Sequence, residues 1–215
     1  MREIIIERIR SSKVIAIARG IEKGKCLELA RALADGGIML MELPYDQGRP
    51  ETWYETAESI ARIAEKYGDR LFVGAGTVLT PELVELTRSH GGSFIVAPNT
   101  NASVIRRASE LGMVSVPGAM TPTEILAAHD AGADIVKLFP ASELGTAYLK
   151  ALRAPISHVD ILAAGGITAA NAKAFLAAGA MSLGVGGALT NRAAIAEGRF
   201  DDITRAAQEL LRAIE

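Results

Sequence analysis

Eight short runs of β-branched and other apolar residues recur along the chain, and helical patterns ending on glycine fill the gaps between them. The runs are Val14–Ala18, Ile38–Met41, Leu71–Val73, Ser93–Val96, Met113–Val116, Ile135–Leu138, Val159–Ala163 and Met181–Val185. Most of them do not alternate polar with apolar residues. Strands covered on both faces behave this way. A short helix carrying Ile4, Ile5, Ile6 and Ile9 precedes the first run.

Between the runs, apolar residues fall at helical spacing. Leu27, Ala30, Leu33 and Ala34 share a face before Gly36-Gly37, Ile60, Ile63 and Ala64 before Gly68, and Leu83, Leu86 and Thr87 before Gly91-Gly92. The glycines fit a left-handed stop after each helix. Thr80-Pro81 and Thr121-Pro122 put a cap and then proline at a helix start. Thr121 with Glu124 has capping-box spacing, and Thr168 is placed to cap the helix of Ala172 and Phe175.

Eight strands in alternation with helices predict an α/β chain of one domain, residues 1–215, folded as a compact (β/α)8 TIM barrel with a short N-terminal helix. An open doubly wound sheet is the competing architecture. Its dinucleotide-binding form carries a glycine-rich turn after the first strand, and Arg19-Gly20-Ile21 is not that turn.

Charge and cysteine content narrow the function. The net charge is -2, with no basic surplus for a nucleic-acid backbone. The single cysteine, Cys26, rules out an intramolecular disulfide or a thiolate metal cluster, and its helical setting reads as a structural thiol. No apolar run reaches the roughly 18 residues of a spanning helix. The N-terminus carries acids beside a short apolar run, unlike a signal peptide, so the expected location is the cytoplasm and no membrane partner is expected.

In a barrel the chemistry sits at the carboxyl ends of the strands. Lys137 is the sharpest signal there, in Asp134-Ile135-Val136-Lys137-Leu138-Phe139-Pro140. A lysine in an apolar strand hides its charge, pairs it, or faces a pocket. Burial lowers an ammonium pKa, and the free amine then attacks carbonyls. Imine chemistry, phosphate binding and a cross-barrel ion pair all fit at this level. Glu42, in Leu40-Met41-Glu42-Leu43-Pro44, is a candidate proton carrier or the partner of Lys137 or Arg19. Arg19 offers a fork of donors for a carboxylate or phosphate. The Thr77 hydroxyl, after three small residues, is in reach of a ligand. Asp46 and Tyr45 are expected at the rim. Gly165-Gly166 and Gly186-Gly187 end the last two runs, where barrel phosphate sites commonly lie.

The histidines His90, His129 and His158 fall at helix exits or before a strand, and none clusters with other ligands. A catalytic metal is therefore not expected. Asp35, Asp130 and Asp134 precede strands and read as bottom-face or loop solvation.

Taken together, Gly74-Ala75-Gly76-Thr77-Val78-Leu79, Pro117-Gly118 with Thr121 and Glu124, Lys137-Leu138-Phe139-Pro140-Ala141 and Gly165-Gly166-Ile167 resemble the 2-keto-3-deoxy-6-phosphogluconate aldolase family. That family also includes 4-hydroxy-2-oxoglutarate and 2-dehydro-3-deoxy-6-phosphogalactonate aldolases. The resemblance runs from about Val14 to the final helix. It implies a (β/α)8 barrel, class I imine chemistry on a small keto-acid, no metal or other cofactor, and a homotrimer. It implies Lys137 as the Schiff-base lysine, Glu42 as the proton shuttle and Thr77 beside the pyruvate moiety. Gly165, Gly166, Gly186 and Gly187 match the phosphate cradle. Arg19, Pro98 and Phe139 complete the expected substrate-binding set.

Two departures stand out. The phosphogluconate branch typically has an arginine shortly after the glutamate, whereas this chain reads Leu43-Pro44-Tyr45. Arg19-Gly20-Ile21 instead resembles the galactonate branch. Family members also often place a serine in or behind the last glycine turn, where this chain has Gly187-Ala188. That leaves room for a weaker phosphate grip or a substrate without phosphate. The expected activity is cleavage of a 2-keto-3-deoxy acid, with a phosphosugar isomerase or epimerase and a non-catalytic sugar-acid sensor as alternatives on the same barrel.

Overall fold

The computed structural model describes residues 1–215. Helix α1 (Arg2–Ser12) leads into β1 (Val14–Ile17), α2 (Lys23–Asp35), β2 (Leu40–Pro44), α3 (Trp53–Tyr67) and β3 (Phe72–Gly76). There follow α4 (Pro81–Ser89), β4 (Phe94–Val96), α5 (Ala102–Glu110), β5 (Val114–Val116), β6 (Gly118–Ala119) and α6 (Pro122–Asp130). The chain closes with β7 (Val136–Leu138), α7 (Ala141–Arg153), β8 (Ile161–Ala164), α8 (Ala169–Ala177), β9 (Ser182–Val185), α9 (Arg192–Ala196) and α10 (Phe200–Ala213).

All strand pairs are parallel, in the order β5-β4-β3-β2-β1-β9-β8-β7-β6. The two ends of that order are consecutive in sequence. Pro117 divides the fifth barrel strand: β5 pairs with β4, and β6 pairs with β7. Pro117, which has no N–H to give, interrupts the strand, yet both neighbours bond across it: Ser115 O accepts from Ile135 N–H at 3.4 Å and Gly118 N–H donates to Asn99 O at 3.2 Å. The ring is a (β/α)8 barrel, and an open sheet is excluded.

Every strand but the first begins one or two residues later than its apolar run. The first residues of several runs are spent closing the preceding helix. Ile38 N–H donates to Leu33 O at 2.9 Å, Leu71 N–H to Tyr67 O at 2.7 Å, and Met113 N–H to Ala108 O at 2.9 Å. The glycine stops hold at Gly37, Gly91, Gly112, Gly132 and Gly179, all with positive φ. Gly68 is the exception, with φ -62. Tyr67 O accepts from both Arg70 and Leu71, so that turn needs no left-handed residue. Its glycine is steric, because a β-carbon there would overlap Ala64 O. Thr80 accepts from Leu83 N–H, and both Thr121–Glu124 and Thr168–Asn171 form capping boxes.

The core has two layers. Between sheet and helices lies a cluster of 53 buried residues. Inside the barrel lies one of 11, including Ile15, Leu40, Phe94, Val96, Val114, Val116, Ile135 and Leu162. Ile5 and Ile9 of α1 belong to this inner set, so α1 plugs the floor. Arg2 of α1 pairs with Asp134 at 2.8 Å, and that carboxylate, 3% exposed, also accepts from Ser115 N–H at 2.9 Å. Asp134 thus lies at the bottom face as expected, but as a buried clamp on the plug and not as a solvating group. Arg10 pairs with Asp160 beside it.

Inner positions must be filled without overlap. Gly74 faces inward, where its β-carbon would sit 2.7 Å from the Phe94 ring. Phe94 fills the space a side chain at Gly74 would need. Gly74→Ala is expected to destabilise the fold by about 1–3 kcal/mol through overpacking. A lowered urea midpoint with an unchanged slope would show it.

Candidate active site

Strand parity carries Lys137 into the barrel. It lies two residues after Ile135 of the inner cluster, beside Gly118 on one neighbour and Leu162 on the other. Glu42 likewise follows inward Leu40 by two, in register with Ile17 and Gly74. Both are almost completely enclosed, at 5% and 2% exposure. Neither makes the ion pair that would explain it. Glu42 Oε2 has no hydrogen-bond partner, and Lys137 acts on it only as a nearby charge. The carboxyl lies over Gly76, where a β-carbon would overlap Oε2. Glycine at position 76 is what makes room for it.

Burial sets the charge states. Desolvation raises the Glu42 carboxyl to about 7, with Lys137 and then Arg19 pulling it back. Desolvation lowers the Lys137 ammonium below its ordinary value; Glu42 opposes this and Arg19 adds to it. The pair thus tends toward neutral amine and neutral acid. Lys137 Nζ stands 5.0 Å from the centre of the Phe139 ring, which is itself 38% exposed at the mouth.

Arg19 and Thr77 line a cavity of about 720 Å³ that extends between α2 and α3 to Cys26 and Ser59, and neither Lys137 nor Glu42 lines it. Arg19 is exposed, precedes Gly20 with φ 67, and makes no ion pair with Glu42. Its carbonyl accepts from Arg192 Nε at 3.2 Å. Thr77 is half-buried with φ 55, and its carbonyl accepts from Gln47 Nε2 at 2.8 Å. Pro98 is exposed, with its carbonyl packed where a β-carbon at Gly118 would go. Asp46 is on the rim and paired with Arg49 at 2.8 Å. Tyr45 is not on the rim. It is 1% exposed, edge-on to Trp53, with its hydroxyl 3.0 Å from Thr87 Oγ1.

The two glycine turns share a pattern. Gly165 (φ 93) and Gly166 (φ 73) follow β8. Their carbonyls are occupied, Gly165 O by Ser142 N–H at 3.0 Å and Gly166 O by Asn171 Nδ2 at 2.9 Å. After β9, Gly186 O accepts from Leu189 N–H at 2.8 Å and Thr190 N–H at 3.0 Å. None of the N–H groups of Gly165, Gly166, Gly186 and Gly187 donates to a protein acceptor. Backbone donors left free in glycine turns suit an anion. The Thr190 hydroxyl is not free to donate to a ligand beside them, because its single proton is shared between Ile17 O and Gly186 O.

Gln47, Arg192, Ser142 and Asn171 were not legible as site residues. Gln47, Arg192 and Ser142 contact neighbouring barrel units, so nothing in their local sequence marks them, whereas Asn171 bonds to Gly166 O and Thr168 N–H within its own unit. Cys26 is buried with its thiol raised to about 11 by desolvation, as an inert thiol should be. His129 and His158 stack edge to face at 5.2 Å before β8, away from the strand ends that carry the site. No group of three or more His, Cys, Asp or Glu is placed to hold a metal ion.

Residues 5–206 match the family model described as "Aldolase: KDPG and KHG aldolase". A 2-dehydro-3-deoxy-6-phosphogalactonate aldolase from Escherichia coli (strain K12) is 40% identical over 174 residues, covering 80% of this chain and 82% of that enzyme. A 2-dehydro-3-deoxy-phosphogluconate aldolase from Treponema pallidum (strain Nichols) is 34% identical over 210 residues, covering 97% and 95%. A solved structure described as native KDPGal superposes with a TM-score of 0.84 at 36% identity, covering 93% of each chain.

The raised Glu42 carboxyl makes stability depend on pH. Its folded value is about 7, against an ordinary 4.5. Between those values the folded state keeps a proton that the unfolded chain has lost. Stability should therefore fall as pH rises through that window, by up to about 3 kcal/mol. Glu42→Gln should flatten this slope, and urea midpoints at about pH 5 and about pH 8 for both proteins would reveal it.

Proposed function

The chain belongs to the KDPG and KHG aldolase family, and from that premise we propose how its residues carry out the reaction. The protein is a class I aldolase, a carbon–carbon lyase that cleaves a phosphorylated 2-keto-3-deoxy sugar acid to pyruvate and an aldehyde. The observation that carries the proposal is an unpaired, nearly enclosed amine at Lys137 with its pKa driven down.

In the proposed mechanism the free amine of Lys137 attacks C2 of the keto acid. Loss of water gives an iminium, which draws electrons from the C3–C4 bond. Ionised Glu42 takes the proton of the C4 hydroxyl. The bond then breaks, leaving an aldehyde and an enamine on Lys137. Glu42, now protonated, returns the proton to C3, and water releases pyruvate and the free amine. A carboxyl titrating near 7 is suited to both halves of this exchange, because neither protonation state is far uphill at neutral pH.

Arg19 holds the substrate carboxylate by its guanidinium, and the Thr77 hydroxyl orients the pyruvate half. Pro98 and the Phe139 ring bound the path outward. The free N–H groups of Gly165, Gly166, Gly186 and Gly187 bind the phosphate. The orientation matters because the breaking bond must align with the iminium π system. No metal or other cofactor enters this scheme. Residues 1–215 act as one catalytic domain, assembled as the homotrimer usual in the family and placed in the cytoplasm. No helix is long and apolar enough to cross a membrane.

Borohydride with pyruvate tests the amine. The parent enzyme should be inactivated, and peptide mapping should find the reduced adduct on Lys137. Lys137→Ala should take up no pyruvate, keep its fold, and lose turnover by at least about a thousandfold. Turnover near the parent rate in Lys137→Ala would overturn the imine. An enzyme that processes a sugar phosphate without any trapped adduct would favour an isomerase.

A further inference from the structure

Ser142 lies in the first turn of α7, before the break at Gly145 (φ 79). Its N–H is fixed to Gly165 O at 3.0 Å, which staples this turn to the glycine turn after β8. Its hydroxyl then rests directly against Gly166. A β-carbon built at Gly166 would overlap Ser142 Oγ and Cβ. Gly166 thus lacks a side chain at the point where a neighbouring hydroxyl takes the space.

That hydroxyl is close to unused. Its one protein partner is the carboxylate of Glu143, at 3.5 Å, the outer limit of a hydrogen bond. Glu143 is exposed, so the contact is readily exchanged for water. A short chain of contacts also links the site to the reacting amine. Lys137 Nζ faces the Phe139 ring, and a β-carbon at Gly165 would stand 3.2 Å from that ring. Gly165 and Gly166 come next, and Ser142 beyond them. Meanwhile the turn after β9 offers no hydroxyl, since Gly187 and Ala188 have none and Thr190 is engaged.

We infer that Ser142 is a specificity-determining residue whose Oγ–H donates to the terminal phosphate of the substrate, beside the N–H groups of Gly165 and Gly166. This rests on the aldolase reading of those turns and adds a residue to it. The hydroxyl missing from the last turn is supplied from the opposite side of the cradle. A hydrogen bond to a charged oxygen is worth more than a neutral one, so its loss should be read in binding of the phosphorylated substrate alone.

The test compares a phosphorylated 2-keto-3-deoxy acid with its unphosphorylated counterpart. Ser142→Ala should raise KM for the phosphorylated acid by about tenfold or more, with kcat nearly kept. The unphosphorylated acid should change by less than about twofold. A β-carbon at Gly187 meets nothing within 4 Å, so serine fits there. Gly187→Ser in the Ser142→Ala background should recover most of the lost preference. An unchanged KM, an equal loss on both substrates, or a parent enzyme with no preference for phosphate would each overturn the inference. Pyruvate trapping at Lys137, run on the same variants, reports on the imine separately. Loss of preference with trapping intact therefore isolates Ser142.

Discussion

A closed ring of parallel strands encloses a space that side chains must fill, and everything else in this molecule follows from how that space is divided. Its lower part is apolar and tight, down to the fit of Phe94 against Gly74. Its upper part holds two ionisable groups in near-complete enclosure. Dry packing beneath keeps the polar layer poorly hydrated, and desolvation is what moves both Lys137 and Glu42 from their ordinary charge states.

The two groups are near enough to feel each other and do not pair. A direct ion pair would have fixed the amine as an ammonium and removed its nucleophilicity. Leaving Glu42 Oε2 unpartnered costs stability, as any buried unsatisfied oxygen does. Active centres commonly carry such a cost. Arg19 contributes a positive field to both groups while leaving its own guanidinium free at the mouth.

Much of this was legible from the residues. The eight apolar runs implied the ring, because strands buried on both faces lose their alternation. Lys137 and Glu42 stood out because charged residues rarely sit in such runs. The strand starts were less legible, since Ile38, Leu71 and Met113 are as apolar as the strands they precede yet bond back to helices. The interruption at Pro117 was hidden for a similar reason: only pairing, not composition, shows where a strand's ladder breaks. Asp134 misled because its partner Arg2 lies far away in sequence. Tyr45 misled because position after Glu42 gives no direction to a ring. Gln47 and Ser142 act through contacts between units, which local spacing does not encode.

The helix α1 gives the barrel a stopper made of two isoleucines and held by a pair of arginines. Such a stopper couples distant ends of the molecule. Were α1 to fray, water would enter from below and climb toward the amine. Rehydration would restore the ammonium's affinity for its proton, and nucleophilicity would decline before any strand came apart. Thermal or chaotropic stress at the floor would then silence the enzyme while its circular dichroism still looked intact.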